Sequence, residues 1–134
     1  MTRMTATSNV QIVHDIYAAF NRGDIAFIVD QLTDDVKWVS HFDPIVPWGG
    51  DRSGKANVPG FFADIVNNVE VLDFQPQETI AEGDTVVTVG EFEFRANSTG
   101  RRARTRWVFS IHFRDGQVCS YEQFHDPAIT EAFQ

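Results

Sequence analysis

At 134 residues, with 43% apolar side chains and 12 phenylalanines, the chain is sized and composed for one folded domain with one core, spanning 1–134, and not for a disordered tail. Its formal net charge of −8 weighs against a nucleic-acid partner, because binding phosphate requires a basic surface. Cys119 is the only cysteine, which excludes an internal disulfide. No stretch has the apolar length of a leader or a membrane span, so a soluble, cytoplasmic protein without a membrane partner is expected.

Residues 1–7 are expected to be disordered. Ser8-Asn9-Val10-Gln11 has the form of a capping box, in which the hydroxyl accepts from a free helix N–H and the glutamine reaches back. Val10, Val13, Ile16, Tyr17 and Phe20 then recur at helical spacing, and Gly23 stops the helix. Asp24 is placed to cap a shorter helix through Ile25, Phe27, Ile28 and Leu32, ended by Thr33-Asp34-Asp35. VKWVSHF (36–42), β-branched and aromatic, predicts a strand.

Residues 43–60 hold three Pro and four Gly and predict a long irregular connection of the kind that forms a lid or rim. A third helix starts near Asn57, tolerates Pro59 in its first turn and turns Phe61, Phe62, Ile65 and Val66 inward. Strands follow at 69–80, 85–96, 103–114 and 117–125, with turns at Glu82-Gly83-Asp84, Asn97–Gly100 and Arg114-Asp115-Gly116. Asp126-Pro127 predicts a terminal helix through Phe133, with the carboxylate as its cap. Helices first and hairpin-linked strands after give an α+β fold: a curved mixed or antiparallel sheet wrapped over a long helix, a cone with an open mouth.

The last two strands say most about that interior. Trp107, Phe109, Ile111 and Phe113 share the dry face of one, whereas Tyr121, Gln123 and His125 share the matching face of the other. A face that turns polar where it should be dry predicts a lined cavity. The basic run Arg101, Arg102, Arg104 and Arg106 lies on a strand and lacks the exposed aromatics of a single-strand binder.

Several short signals fall in one order along the chain. They are Tyr17-Ala18-Ala19-Phe20-Asn21-Arg22-Gly23-Asp24, Thr33-Asp34-Asp35-Val36-Lys37-Trp38, Arg52-Ser53-Gly54 before Phe61-Phe62, and Ala81-Glu82-Gly83-Asp84. The last runs from Trp107-Val108-Phe109 through Arg114-Asp115-Gly116-Gln117-Val118 to Phe124-His125-Asp126. In this order the chain resembles the ketosteroid isomerase-like and SnoaL-like proteins of the nuclear transport factor 2-like superfamily. The resemblance implies a conical α+β barrel with a small-molecule pocket, paired as a homodimer through the outer sheet face. Carried over residue by residue, the isomerase's tyrosine, base and second aspartic acid fall on Ile16, Ser40 and Phe109, a gap bringing His41 or Asp43 to the base position. Those groups are missing, so ketosteroid isomerisation by that mechanism is not expected. The final-strand carboxylate of the limonene epoxide hydrolase-like pattern falls on Gln123, which cannot act as a base. SnoaL-type cyclisation has only His125 or Asp126 to draw on.

His125 is the leading candidate for acid–base work, with Asp126 as a carboxylate to orient it or, by its Asp-Pro context, simply a helix cap. Glu91 admits two readings. It is a desolvated carboxylate of raised pKa if Val87, Val89, Glu91 and Glu93 face the cavity, and a surface group if a bulge at Gly90 switches the faces. The expected ligand-contacting set is Tyr17, Trp38, Ser40, His41, Trp48, Phe61, Trp107, Phe109, Tyr121 and Gln123, although strand parity sets His41 opposite Trp38 and Ser40. Outer-face positions include His112 and, for the dimer, Phe92 and Phe94. No metal or other cofactor is expected, since His14, His41, His112 and His125 are dispersed and Gly49-Gly50 leads into Asp51-Arg52, not a phosphate loop. The ligand would be a small apolar or amphipathic molecule. The protein would be either a cofactor-free isomerase, cyclase or hydrolase or a non-catalytic binding module.

Overall fold

Thr85–Ala96 alternates without a break: Val86, Thr88, Gly90, Phe92, Phe94 and Ala96 are buried, and every residue between them is half-buried. Such a strand has one face in a core and one under partial cover. A computed structural model, describing residues 6–134, shows where that core lies. Helices α1 (Ala6–Asn21), α2 (Ile25–Asp30) and α3 (Val58–Asn68) precede or interrupt the strands, and α4 (Ala128–Glu131) closes the chain. The strands are β1 (Leu32–His41), β2 (Gly50–Asp51), β3 (Val69–Glu82), β4 (Thr85–Ala96), β5 (Arg102–Arg114) and β6 (Gln117–His125). They form one sheet in the order β2-β1-β6-β5-β4-β3, with β1 parallel to β6 and the other neighbours antiparallel. The fold is α+β with a mixed sheet, as the order of elements predicts.

Local chemistry explains most boundaries. Asp24 caps α2, its Oδ1 accepting from the Phe27 N–H at 3.1 Å. Asp115 and Gly116, with φ of 52° and 80°, form the tight turn between β5 and β6. β5 and β6 then run in step, Trp107 against His125, Phe109 against Gln123 and Ile111 against Tyr121. A register shift opposite His112 and Phe113 lets Val118 and Tyr121, an odd number of residues apart, both face inward.

Several expectations are corrected. Ser8 lies inside α1 and not at its cap, because the helix already includes Ala6 and Thr7, where disorder was expected; the rest of that expectation, at 1–5, falls outside the described residues. Leu32 opens β1 and does not close α2, since its partner is Val118 on β6. Val66 is 68% exposed on the outer side of α3. Phe92 and Phe94 are buried in the core, so they do not belong to an outer surface. The terminal helix stops at Glu131, and Phe133 packs beyond it against Phe94 and Trp48.

The 43–60 connection is firmly held. Arg52 N donates to Trp38 O and Gly54 N to Val36 O, each at 2.7 Å, and Ser53 Oγ accepts from Trp38 N at 3.3 Å. The Arg52 guanidinium pairs with Asp64 on α3 and reaches Pro47 O. Short β2 was invisible in the sequence because two residues carry no periodicity.

Gly90 is the tightest point of the sheet. A Cβ there would lie 2.3 Å from Gln75 O on β3 and 2.3 Å from the Trp107 ring on β5. The indole therefore lies directly over the glycine backbone, and the bulge sits on β3, between Pro76 and Glu78, instead of on β4. Gly90→Ala should cost about 1–3 kcal/mol by overpacking. A denaturant-unfolding midpoint equal to that of the parent protein would contradict this packing.

Candidate functional site

Inner-face residues of β1, β4, β5 and β6 meet α1, α2 and α3 around a narrow cavity of about 50 Å³. That is room for on the order of four water molecules. Tyr17, Trp38, Trp48, Phe61, Phe109, Tyr121, Gln123 and His125 all line it. Among the described residues the lining contains no Asp, Glu, Lys or Arg.

Strand register assembles the wall. Trp38 on β1 stands beside Tyr121 on β6, and the two rings stack with centroids 4.3 Å apart. Phe61 and Phe62 of α3 meet the same indole edge-on. The Tyr17 hydroxyl, from α1, hydrogen-bonds Thr88 Oγ1 at 2.5 Å. Burial pushes both phenols, Tyr17 and Tyr121, well above the ordinary tyrosine range, and each feels the other. Both remain protonated near neutrality and act as neutral hydrogen-bonding groups. Counting along the sequence put the family's tyrosine position at Ile16. Ile16 and Tyr17 both reach the cavity, so α1 does present a phenol there.

Gln123 lies beside Ser40 across the β1–β6 pairing, and Ser40 Oγ donates to its Oε1 at 3.1 Å. This fixes the amide and leaves Nε2 without a partner among the described residues. Ser40 is buried behind Gln123 and does not line the cavity. Trp107 is likewise buried out of reach, stacked on Phe109 at 4.1 Å and Phe74 at 5.1 Å. The indole N–H groups of Trp38 and Trp107 have no acceptor among the described residues.

His125 is half-buried on the cavity wall. Its Nδ1 lies 3.3 Å from Thr105 Oγ1, and Phe42 packs edge-on at 4.6 Å. Burial pulls its pKa down from 6.5 to about 3, and the nearby Asp126 charge only partly offsets that. The ring is thus neutral near pH 7, and the burial that keeps it so also makes it a weak proton acceptor. Asp126 does not orient it by a hydrogen bond: its carboxylate accepts from the backbone N–H groups of Arg106 and Ala128, each at 2.9 Å. These bonds tie the end of β6 to the turn before α4, whose N-cap is Pro127 and not the expected Asp126.

Two predicted site residues lie on the wrong face. Glu91 points outward and pairs with Arg104, because β4 keeps its register and turns Phe92 inward instead. His41 is exposed on the outer face, where Glu122 Oε2 sits 2.6 Å from its Nε2 and Phe124 stacks on the ring. Sequence reasoning missed Phe20, Phe62 and Phe74 as wall residues. Phe20 was visible within the apolar stripe of α1, but β3 alternates too weakly to reveal Phe74.

Comparison with known proteins agrees with this geometry. Residues 13–121 match the SnoaL-like domain. An NTF2-like protein from Burkholderia xenovorans LB400 superposes with a TM-score of 0.88 at 31% identity, over 98% of this chain and 99% of that one. The structure of TerC co-crystallized with polyporic acid superposes with a TM-score of 0.82 at 28% identity, over 94% and 98%. An uncharacterized protein of Mycobacterium tuberculosis is 26% identical over 145 aligned positions, 97% of this chain and 98% of its own.

The burial of His125 gives a direct test. Its ring signals in NMR should not titrate between about pH 5 and 8. The unfolded chain takes up this proton near 6.5 and the folded chain only near 3, so folding loses stability as pH falls through that window. His125→Phe should flatten that dependence. Unchanged acid sensitivity in the variant would show that the ring is not desolvated.

Proposed function

Since the chain belongs to the SnoaL-like family, within the nuclear transport factor 2-like superfamily, we propose that its cavity binds a small, mostly apolar, uncharged molecule. The observation that carries this reading is a wall without ionised side chains that nevertheless offers phenol, amide and imidazole groups. An ion placed there would lose its hydration with no partner, whereas an uncharged ring would lie against Trp38, Phe61 and Phe109. The amide Nε2 of Gln123, whose Oε1 is taken by Ser40, calls for an oxygen acceptor on that ligand. That TerC crystallises with polyporic acid is in keeping with a small organic ligand.

A second reading, cofactor-free acid–base catalysis of the isomerase, cyclase or hydrolase type, rests on one observation: His125 presents a neutral imidazole on the cavity wall. It would act as the base while Tyr17 and Tyr121 donate to a developing oxyanion. Glu91 and Asp126 are not involved. The same proposal places the protein in a reducing, cytoplasmic setting, as its lone thiol suggests.

A homodimer through the outer sheet face completes the reading. Val89, Val108, Phe124 and His41 form one row across β4, β5, β6 and β1, with Val108 38% and Phe124 42% exposed. Val108→Glu should convert the dimer to monomer in light scattering, and a monomeric parent protein would exclude the arrangement.

For the site, we expect at least one member of a panel of cyclic ketones, epoxides and polyketide-like compounds to raise the melting temperature. Gln123→Leu should weaken that compound by about 1–2 kcal/mol, the range for a lost hydrogen bond. No binding across the panel would count against the proposal. Turnover that disappears in His125→Ala, with binding retained, would select the catalytic reading; turnover unchanged in that variant would remove His125 from it.

A further inference from the structure

The inner cavity shares three of its wall residues, Phe20, Phe62 and Phe74, with a second and far larger depression of about 520 Å³. Phe20 comes from the end of α1, Phe62 from α3 and Phe74 from β3. Their rings touch, Phe20 lying 5.1 Å from Phe74 and 6.0 Å from Phe62. They form a partition of side chains and not of backbone, and aromatic side chains reorient far more readily than strands separate. Outside it, a groove runs between the α1–α2 turn, α3 and the start of β3, floored by Val66, Val71 and Leu72. Val66 is 68% and Val71 39% exposed there, so apolar surface faces the opening. Asp73, the only ionised group among the described groove residues, is 3.5 Å from Arg104, a cation it shares with Glu91 and Glu93. β3 is an edge strand, and its register with β4 slips between Val71 and Asp73, at the groove itself.

Volume decides between a sealed chamber and a site with two connected compartments. About 50 Å³ is well below the roughly 300–1,000 Å³ of an ordinary ligand site. A ligand confined to it would bury little area and bind weakly. We propose that the groove is the outer half of the binding site. The ligand is then an elongated molecule: a compact ring bearing a carbonyl-type oxygen enters the inner cavity, which must widen beyond its about 50 Å³ as Phe20, Phe62 and Phe74 turn aside to admit it. An unbranched apolar tail passes between Phe20, Phe62 and Phe74 and lies along Val66 and Val71. The mouth is on the α1–α3–β3 side, away from the β6 end, where Phe42 packs on both Trp48 and His125. This inference rests on the small-molecule reading above and adds the class of compound.

The test uses acetophenone, butyrophenone and octanophenone in calorimetric titrations of the full chain and of its Val66→Asp and Val71→Asp variants. Both positions are exposed, so the variants should fold. A buried methylene is worth roughly a fourfold gain in affinity. Octanophenone should therefore bind the parent protein at least about tenfold more tightly than acetophenone, and that ratio should fall toward one in both variants. Equal affinity across the three ketones would overturn the tail assignment while leaving the inner site intact. A chain-length gain that survives in both variants would place the tail elsewhere and equally overturn it. Failure of all three ketones to bind would remove this inference together with the reading beneath it.

Discussion

β6 is hydrogen-bonded on both sides, parallel to β1 and antiparallel to β5, so each of its inward residues has two fixed neighbours. Tyr121 stands between Trp38 and Ile111, and Gln123 between Ser40 and Phe109. A slip of one residue on either side would carry Tyr121, Gln123 and His125 to the outer face together. Burial on the inner face makes such a slip costly, because it would expose Tyr121 and Gln123 and turn Glu122 into the apolar interior. The stacked Trp38–Tyr121 pair and the Ser40–Gln123 bond are consequences of this pairing. So is the Cys119 irregularity, which brings Val118 into the core without disturbing the residues above it.

Charge follows the same division between faces. Outside, Arg102 and Arg104 of the basic run meet Glu93, Glu91 and Asp73, and Arg95 of β4 meets Glu70, so two of the four arginines of that run are paired within the sheet. Such exposed pairs contribute little to stability, each within about 1 kcal/mol, but they leave fewer free cations for phosphate. Inside, low polarity keeps the phenols protonated and the imidazole bare. A cavity built this way selects by shape and hydrogen bonding, and a charged compound would enter against a desolvation cost that nothing in the wall offsets.

The sequence was most legible where local chemistry and alternation agreed. Asp24 as a cap, Asp115-Gly116 as a hairpin turn and the polar inner face of β6 were all readable, because each depends on residues near one another in the chain. β4 was ambiguous for a physical reason: Val87 and Val89 on one face compete with Phe92 and Phe94 on the other. What resolves it is long-range, the seat that Gly90 gives to Trp107 and the partner that Arg104 gives to Glu91. Parity was sound for His41, and its inclusion among ligand contacts ran against it. Counting residues put the isomerase tyrosine on Ile16, and Tyr17 beside it also reaches the cavity, because the inward stripe of α1 is wide enough to hold both neighbours. The groove beyond Phe20, Phe62 and Phe74 had no sequence signature at all, being made where three separate elements converge.

All three tryptophans, Trp38, Trp48 and Trp107, are only 1% exposed, and each belongs to the aromatic cluster at or behind the cavity. The molecule therefore has no indole on its surface. Its ultraviolet emission originates wholly from the interior, and any guest that displaces water or shifts a ring there will colour the whole signal.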